Sequence, residues 1–306
     1  MLLVIGENIT IGTDAVRKAI EERDAEFIQK RAISQVKHGA GMLDLNIGPQ
    51  KKHGVEVMEW IVDVVQEVVD VPLCLDTTNV AALEAGLKRC KKQPMINSTS
   101  ADPERLEKIM PLAAKYNAKV IALTMKKTVP PTAEERAKIA MEILIPKAVE
   151  LGIPMEDLYL DPLVLTVQGM QDYAPQTVEA LRYFKQLTDP PPMTVVGLSN
   201  ISNNVPWELR SLINRTYLVM LMAAGLDAAI ANPWDKKQNE FIRIIEERDD
   251  STPVGKLLLN IYDAVAAMEE PDPSLVDMDD PEQVAIWKTV QVLENKVIYA
   301  DGYLKK

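Results

Sequence analysis

One phrase recurs along the chain: an amphipathic helical stretch, then Gly or Asn, then a short apolar run that closes on a small polar residue. His38-Gly39-Ala40 leads into Met42-Leu43-Asp44-Leu45-Asn46, and Ala85-Gly86 comes before Pro94-Met95-Ile96-Asn97. Tyr116-Asn117 stands before residues 119–124, Leu151-Gly152 before Leu158-Tyr159-Leu160-Asp161, and Ala224-Gly225 before residues 226–231. Gly or Asn just past a helix end takes the left-handed conformation that closes it. The runs are ~4–6 residues long and apolar on both faces, as strands of a covered parallel sheet must be.

Candidate strands start near Leu2, Met42, Pro72, Pro94, Lys119, Asp157, Thr194 and Leu226, a mean step of about 32 residues that suits one strand-plus-helix unit. The intervening segments carry helical periodicity: Ala25, Ile28, Ala32 and Val36; then Val57, Ile61, Val64 and Val68; then Leu106, Met110 and Ala113. Eight such units predict an α/β fold, a closed (β/α)8 TIM barrel rather than an open doubly wound sheet. No Gly-x-Gly-x-x-Gly follows the first strand, which weighs against a dinucleotide fold. At 306 residues the chain reads as a single domain, with a barrel core over 1–234 and a C-terminal helical elaboration over 235–306. Residues 241–247, 255–268 and 281–296 read as helices, the last with Asp280 as cap and Pro281 at its first position. Residues 270–280, rich in Pro and Asp, read as an exposed loop. The region 232–306 is longer than one closing helix needs and is expected to pack on the barrel or on a second subunit.

Charge and rare residues exclude whole classes of function. Asp+Glu is 45 against 34 Lys+Arg, a net charge of −11, which argues against DNA or RNA as a partner. The only histidines are His38 and His53 and the only cysteines Cys74 and Cys90. A Cys/His zinc site and a disulfide framework are therefore not expected, and no metal site is assigned. The first residues show neither a basic stretch nor a long apolar run, and no run reaches ~18 apolar residues. A cytoplasmic protein without a membrane span is the expectation. His38 reads as a helix C-terminal residue and His53 as the surface start of a helix, although His53 follows the second strand and could face the barrel mouth.

In barrels of this kind chemistry lies at the C-terminal ends of the strands. Those positions read Glu7 and Asn8; Asp44 and Asn46; Asp76, Thr77 and Asn79; Asn97 and Ser98; Thr124 and Met125; Asp161; Ser199 and Asn200; and Asn232. Any one of them could simply cap the helix that follows, as Asn79 does well on paper. As a set they say more. Asp76, Asn97, Asp161 and Asn200 end apolar strands and so point into the mouth, where unpaired polar groups would cost several kcal/mol. Two carboxylates and two carboxamides suit an amino-pyrimidinone edge, because a carboxylate accepts two N–H groups side by side and a carboxamide offers one donor and one acceptor. A pterin ring carries that edge.

The motifs in order are Ile5-Gly6-Glu7, Leu43-Asp44-Leu45-Asn46-Ile47-Gly48-Pro49, Leu73-Cys74-Leu75-Asp76-Thr77-Thr78-Asn79, Met95-Ile96-Asn97-Ser98-Thr99, Leu158-Tyr159-Leu160-Asp161-Pro162-Leu163, Gly197-Leu198-Ser199-Asn200-Ile201-Ser202 and Leu212-Ile213-Asn214-Arg215-Thr216. With them the chain resembles the pterin-binding barrel methyltransferases, which exchange a methyl group between methyltetrahydrofolate and a corrinoid protein. The likeness runs over residues 1–235 and returns near the C-terminus; against the family's compact members the stretch 235–280 looks inserted. It implies a homodimeric (β/α)8 barrel with methyltetrahydrofolate or tetrahydrofolate in its mouth and the corrinoid (cobalamin) carried by a partner protein. By that resemblance Asp76, Asn97 and Asp161 bind the pterin, and Asn200 contacts the N5 nitrogen that carries the methyl group. Ser199, Asp44, Asn46 and Glu7 support them. Met125, which ends a strand, is kept as a lining residue. Arg215 either holds a folate carboxylate or braces the fold, and Lys51 and Lys52 either meet the glutamate tail or sit in a solvated loop. Relatives of this kind serve the acetyl-CoA pathway or O-demethylation. Asn200 cannot donate a net proton, so the N5 proton is expected from solvent, with Asp44 or Asp161 as relays.

Three other functions stay open on the sequence. A dihydropteroate synthase uses the same barrel but needs basic residues for pyrophosphate near the late strands, and none cluster there. A non-catalytic folate- or corrinoid-protein-binding module would have no use for Asn200. A metal-dependent lyase or hydrolase would have to draw its ligands from Asp and Asn alone.

Overall fold

A computed structural model describes residues 1–305. Strands β1 (Leu3–Thr10), β2 (Met42–Asn46), β3 (Leu73–Asp76), β4 (Met95–Ser100), β5 (Lys119–Leu123), β6 (Leu158–Asp161), β7 (Met193–Gly197) and β8 (Ala228–Ala231) close into a parallel barrel in chain order. β8 pairs with β1 through Leu3–Ala228 and Gly6–Ala231. The strands begin within two residues of the starts expected from the periodicity.

Two strands run further than expected. β1 passes Glu7 and Asn8 to reach Thr10, with its register on β2 shifting between Gly6 and Ile9. β4 passes Asn97 and Ser98 to reach Ser100, with a shift on β5 between Ile96 and Thr99. Each bulge frees backbone groups that a helix side chain then takes up. Gln35 Oε1 accepts the Asn8 N–H at 2.9 Å and Arg31 Nε donates to the Asn8 carbonyl at 2.9 Å. Arg105 donates to the Ser98 carbonyl from Nε at 3.0 Å and Nη2 at 2.7 Å. β5 stops earlier than expected, at Leu123: the Thr124 N–H and hydroxyl still bond the Asp161 carbonyl at 3.0 Å, but the Met125 N–H turns back to the Leu123 carbonyl at 2.8 Å.

The barrel interior holds one residue from every strand: Ile5, Met42, Cys74, Met95, Ile121, Tyr159, Val195 and Ala228 form one buried cluster. The alternate residues, such as Leu43, Leu45, Leu75 and Ile96, face the helices in a second cluster. Full burial of each such side chain contributes about 1.5–3 kcal/mol. The N-terminal end of the barrel is closed by ion pairs, Lys119 with Asp157 at 2.9 Å and Lys185 with Asp227.

Helices cover the outside: α1 (Asp14–Glu22), α2 (Ala25–Lys37), α3 (Gly54–Gln66), α4 (Val80–Arg89), α5 (Pro103–Tyr116), α6 (Ala133–Ile139), α7 (Ile145–Glu150), α8 (Val167–Met170), α9 (Tyr173–Phe184) and α10 (Trp207–Ala223). Asn79 caps α4 through its side chain, accepting from Ala82 N. After β8 come α11 (Lys236–Glu247), α12 (Pro253–Ala267), α13 (Pro281–Leu293) and α14 (Asp301–Leu304). Asp280 opens α13, accepting from Glu282 N and Gln283 N. α11, within the stretch that looks inserted in the sequence, closes the helical ring: Asn239 reaches the His38 carbonyl at 3.2 Å and Glu246 accepts from Leu2 N at 2.6 Å. α12 and α13 pack on α10 of this same chain. Among the described residues no helix is long and apolar enough to cross a membrane.

Candidate functional site at the barrel mouth

Side chains alternate along a strand, so each strand sends every second residue inward. The inward series read Met42, Asp44, Asn46 on β2; Cys74, Asp76 on β3; Met95, Asn97 on β4; and Tyr159, Asp161 on β6. The lower rungs are apolar and fill the barrel; the upper rungs are polar. They line a cavity of about 700 Å³ at the C-terminal end. Glu7, Asp44, Asn46, Asp76, Asn97, Asp161, Ser199 and Asn200 all reach it.

Two expected residues do not. Met125 lies beyond the turn that Thr124 makes, with its carbonyl accepting from Ala101 N at 2.8 Å, and Leu123 takes the lining place on β5. Arg215 sits eight residues into α10, about 12 Å along the helix from its mouth end. Its guanidinium lies 5.2 Å over the Phe241 ring of α11 and donates to Ser211 Oγ at 2.9 Å. These contacts are those of the bracing role, and Arg215 is not among the residues that line the cavity. His53 is the exposed N-cap residue of α3, and Lys51 and Lys52 are exposed beside it.

The polar rungs are joined in pairs. Asn46 Nδ2 donates to Asp76 at 2.5 Å and Asn97 Nδ2 to Asp44 at 3.1 Å. Ser199 Oγ donates to Glu7 at 2.6 Å, and Asn203 Nδ2 to Asn200 Oδ1 at 3.1 Å. Leu163 N donates to Asp161 at 2.7 Å. Burial pushes these carboxyls up, because a charge in the wall of a closed barrel loses its water. Asp44 rises to about 8, with the charge of Asp76 adding to burial and the Asn97 amide opposing it. Asp161 rises to about 7 by burial, held back by the Leu163 N–H and the Arg136 guanidinium. Glu7 rises to about 7 by burial against the Ser199 hydroxyl. Asp76 rises only to about 6, because the Asn46 amide and Arg105 oppose its burial. A ligand bringing N–H donors to these groups favours their ionised forms.

Several residues of the site escaped the sequence reading. Arg210 lines the cavity from the first turn of α10 and is, among the described residues, the one cation that does so. Pro206, at the N-cap of α10, is the signal that could have placed it at the mouth. Asn203 lines the cavity beside Asn200, while Asn8, already marked as a strand-end residue, lines it and donates to Asn232 at 2.7 Å. Gln35, Arg105 and Arg136 act from behind the strands. Arg136 is wholly buried, donating to the Pro130 carbonyl and to Thr177, both at 3.0 Å.

These features define a (β/α)8 barrel with a polar small-molecule site at the C-terminal ends of its strands. More particularly, the chain belongs to the pterin binding enzymes, whose family model matches residues 8–232, as the motifs led one to expect. It is similar to the methylcorrinoid:tetrahydrofolate methyltransferase of Eubacterium limosum, 28% identical over 235 residues that cover 76% of this chain and 85% of that protein. It is 27% identical over 299 residues to the methionine synthase of Mycobacterium tuberculosis, covering 90% of this chain and 25% of that protein. The chain thus spans about a quarter of the length of that synthase. Among solved structures, a dihydropteroate synthetase with product superposes with a TM-score of 0.59 at 19% identity, over 81% of this chain and 94% of that one. The Yersinia pestis dihydropteroate synthase with a pterine–sulfa conjugate gives 0.58 at 15% identity, with the same two coverages of 81% and 94%. These last likenesses show the shared fold.

Proposed function

We propose that this protein is a methyltransferase moving a methyl group between N5 of (methyl)tetrahydrofolate and the cobalt of a corrinoid carried by a partner protein. The observation that carries this reading is the convergence of Asp76, Asn97, Asp161 and Asn200 on one cavity in a chain similar to a methylcorrinoid:tetrahydrofolate methyltransferase. In this reading Asp76, Asn97 and Asp161 bind the pyrimidinone edge of the pterin, and Asn46 and Asp44 hold the first two in place. Asn200, exposed at the mouth, faces N5. Arg210 meets the folate tail, which the net charge of −11 does nothing to attract.

A tertiary amine is a poor leaving group. Transfer to reduced cobalt by in-line displacement proceeds once a proton or a strong hydrogen bond stabilises N5. Asn200 supplies the hydrogen bond and the fixed orientation. The partner is a corrinoid protein, the setting cytoplasmic, the assembly a homodimer, and the pathway O-demethylation or acetyl-CoA metabolism. Mixing the protein with methyltetrahydrofolate and reduced free cobalamin, and following methylcobalamin by absorbance, tests the activity. No transfer in either direction would leave a non-catalytic folate-binding module ahead. The fold likeness to dihydropteroate synthases favours a second reading, against which stands the single cation on the cavity wall among the described residues.

A further inference from the structure

A proton must reach N5 as its bond to the methyl carbon breaks, and neither histidine is placed to bring one. His38 is exposed at the C-terminus of α2 and His53 is exposed at the start of α3. We infer that Glu7 is the acid that delivers this proton during transfer to cobalt and the base that removes it in the reverse direction, an inference that rests on the methyl-transfer reading above. The place of Glu7 in the barrel carries it. Glu7 stands at the β1 bulge, where Gln35 and Arg31 pin the next residue's backbone, and its side chain reaches the cavity wall. One carboxyl oxygen accepts from Ser199, the residue before Asn200, at 2.6 Å. The other has no protein partner among the described residues. Glu7 and Asn200 thus share the β7–β8–β1 side of the mouth, across from Asp76 and Asn97 on β3 and β4. A flat ring gripped at one end by Asp76 and Asn97 lays its other end toward Glu7 and Asn200.

The other carboxyls lie away from the Asn200 side of the mouth or belong to the proposed pterin edge: Asp44 is on β2 and Asp76 on β3, and Asp161 on β6 is assigned above to the pyrimidinone. Asp44 is 3% exposed and tied to Asn97, and Asp161 is tied to the Leu163 N–H with Arg136 nearby. The charged groups facing Glu7 are Asp44 on β2, Asp76 on β3 and Asp161 on β6, with Arg210 of α10 at the rim and Arg31 of α2 behind β1. Burial holds the Glu7 carboxyl up at about 7, so both of its forms are populated at neutral pH.

In the forward step Glu7 gives its proton to N5, and the electron pair of Co(I) forms the carbon–cobalt bond as the carbon–N5 bond breaks. The products are alkyl-Co(III) and tetrahydrofolate, and the Glu7 carboxylate regains a proton from solvent. In reverse, N5 attacks the methyl group, cobalt keeps the bonding pair as Co(I), and Glu7 takes the N5 proton.

The test is single-turnover methyl transfer to and from free cobalamin over a pH series. The forward rate should fall as pH rises through about 7 and the reverse rate should rise through the same midpoint. Glu7→Gln should lose this titration in both directions and about 100-fold in forward rate, the low end of a general acid's contribution, while methyltetrahydrofolate still binds. Glu7→Asp should recover part of the rate and the titration. Ser199→Ala, which removes the hydroxyl that lowers the Glu7 midpoint, should move that midpoint upward; it provides the same test should Glu7→Gln fail to fold. An unchanged pH profile in Glu7→Gln, or an unmoved midpoint in Ser199→Ala, overturns the role of Glu7 alone. Absence of transfer by the wild-type protein overturns the methyl-transfer reading and this inference with it.

Discussion

The Asn97 carboxamide on β4 donates to the Asp44 carboxyl on β2 at 3.1 Å, past the intervening strand β3. This contact ties down a carboxyl that burial and the charge of Asp76 push up to about 8. A carboxyl whose pKa is raised on folding contributes stability below its unfolded value and loses it as pH rises through the folded one. Ligand-free protein should therefore lose stability between pH about 4 and pH about 8. Asp44→Asn should flatten this fall, gaining on the order of 1–3 kcal/mol at the alkaline end and nothing at the acid end. Chemical denaturation at both ends measures it, and an equal effect at both ends would contradict the buried-charge account.

Asp76 and Asp161 should govern folate binding. Replacing either by Ala removes an ionic acceptor of N–H donors and should raise the folate dissociation constant about 10- to 100-fold. Arg215→Gln and Met125→Leu, both off the cavity wall, should leave it unchanged. Titration calorimetry on the four variants separates lining residues from bracing ones; loss of affinity in Arg215→Gln would return that residue to the folate tail.

If the amide of Asn200 acts on N5 as charge develops there, as proposed, Asn200→Ala should cost far more turnover than folate affinity. A Cβ on Gly197 would stand 2.9 Å from Asn200 Nδ2, so Gly197→Ala should displace the same amide in a protein that still folds. Both variants should lose about 10- to 1000-fold in kcat. Wild-type kcat at saturating folate in either one would remove Asn200 from the chemistry.

Gly6 stands at the β1 bulge, against Gln35 of α2. A Cβ there would meet Gln35 Oε1 at 2.5 Å, the atom that accepts the Asn8 N–H. Gly6→Ala should destabilise the fold by about 1–3 kcal/mol, and Gln35→Ala by a similar amount. The double variant should cost much less than the sum, since both remove the same hydrogen bond. Additive losses in denaturant would show that the bulge is held by something else.

Much of the site was legible because barrel strands impose a period of two. Met95 with Asn97 and Tyr159 with Asp161 each place an apolar residue in the barrel and a polar one above it, so the end of an apolar run marks the mouth. The same rule misled at Met125, where β5 ends one residue earlier than the run of apolar residues suggests. It misled again at β1 and β4, since a bulge leaves no mark in the hydrophobic pattern. Arg210 was missed because a cation in a helix's first turn looks like any solvated charge until the helix is aimed at the cavity.

The sequence by itself determined the eight strand-plus-helix units, the caps at Asn79 and Asp280, and the polar residues that end the strands. These depend on local periodicity and on residues a few positions apart. Only the tertiary structure decided that Arg215 braces Phe241, that Arg136 stands behind Asp161, and that Gln35 and Arg105 hold the two bulges. It also joined Glu7 to Ser199, 192 residues along the chain. The Glu7–Ser199 contact arises because barrel closure brings β7 within one strand of β1, and the others depend on how each helix lies against the strands, which no hydrophobic period encodes.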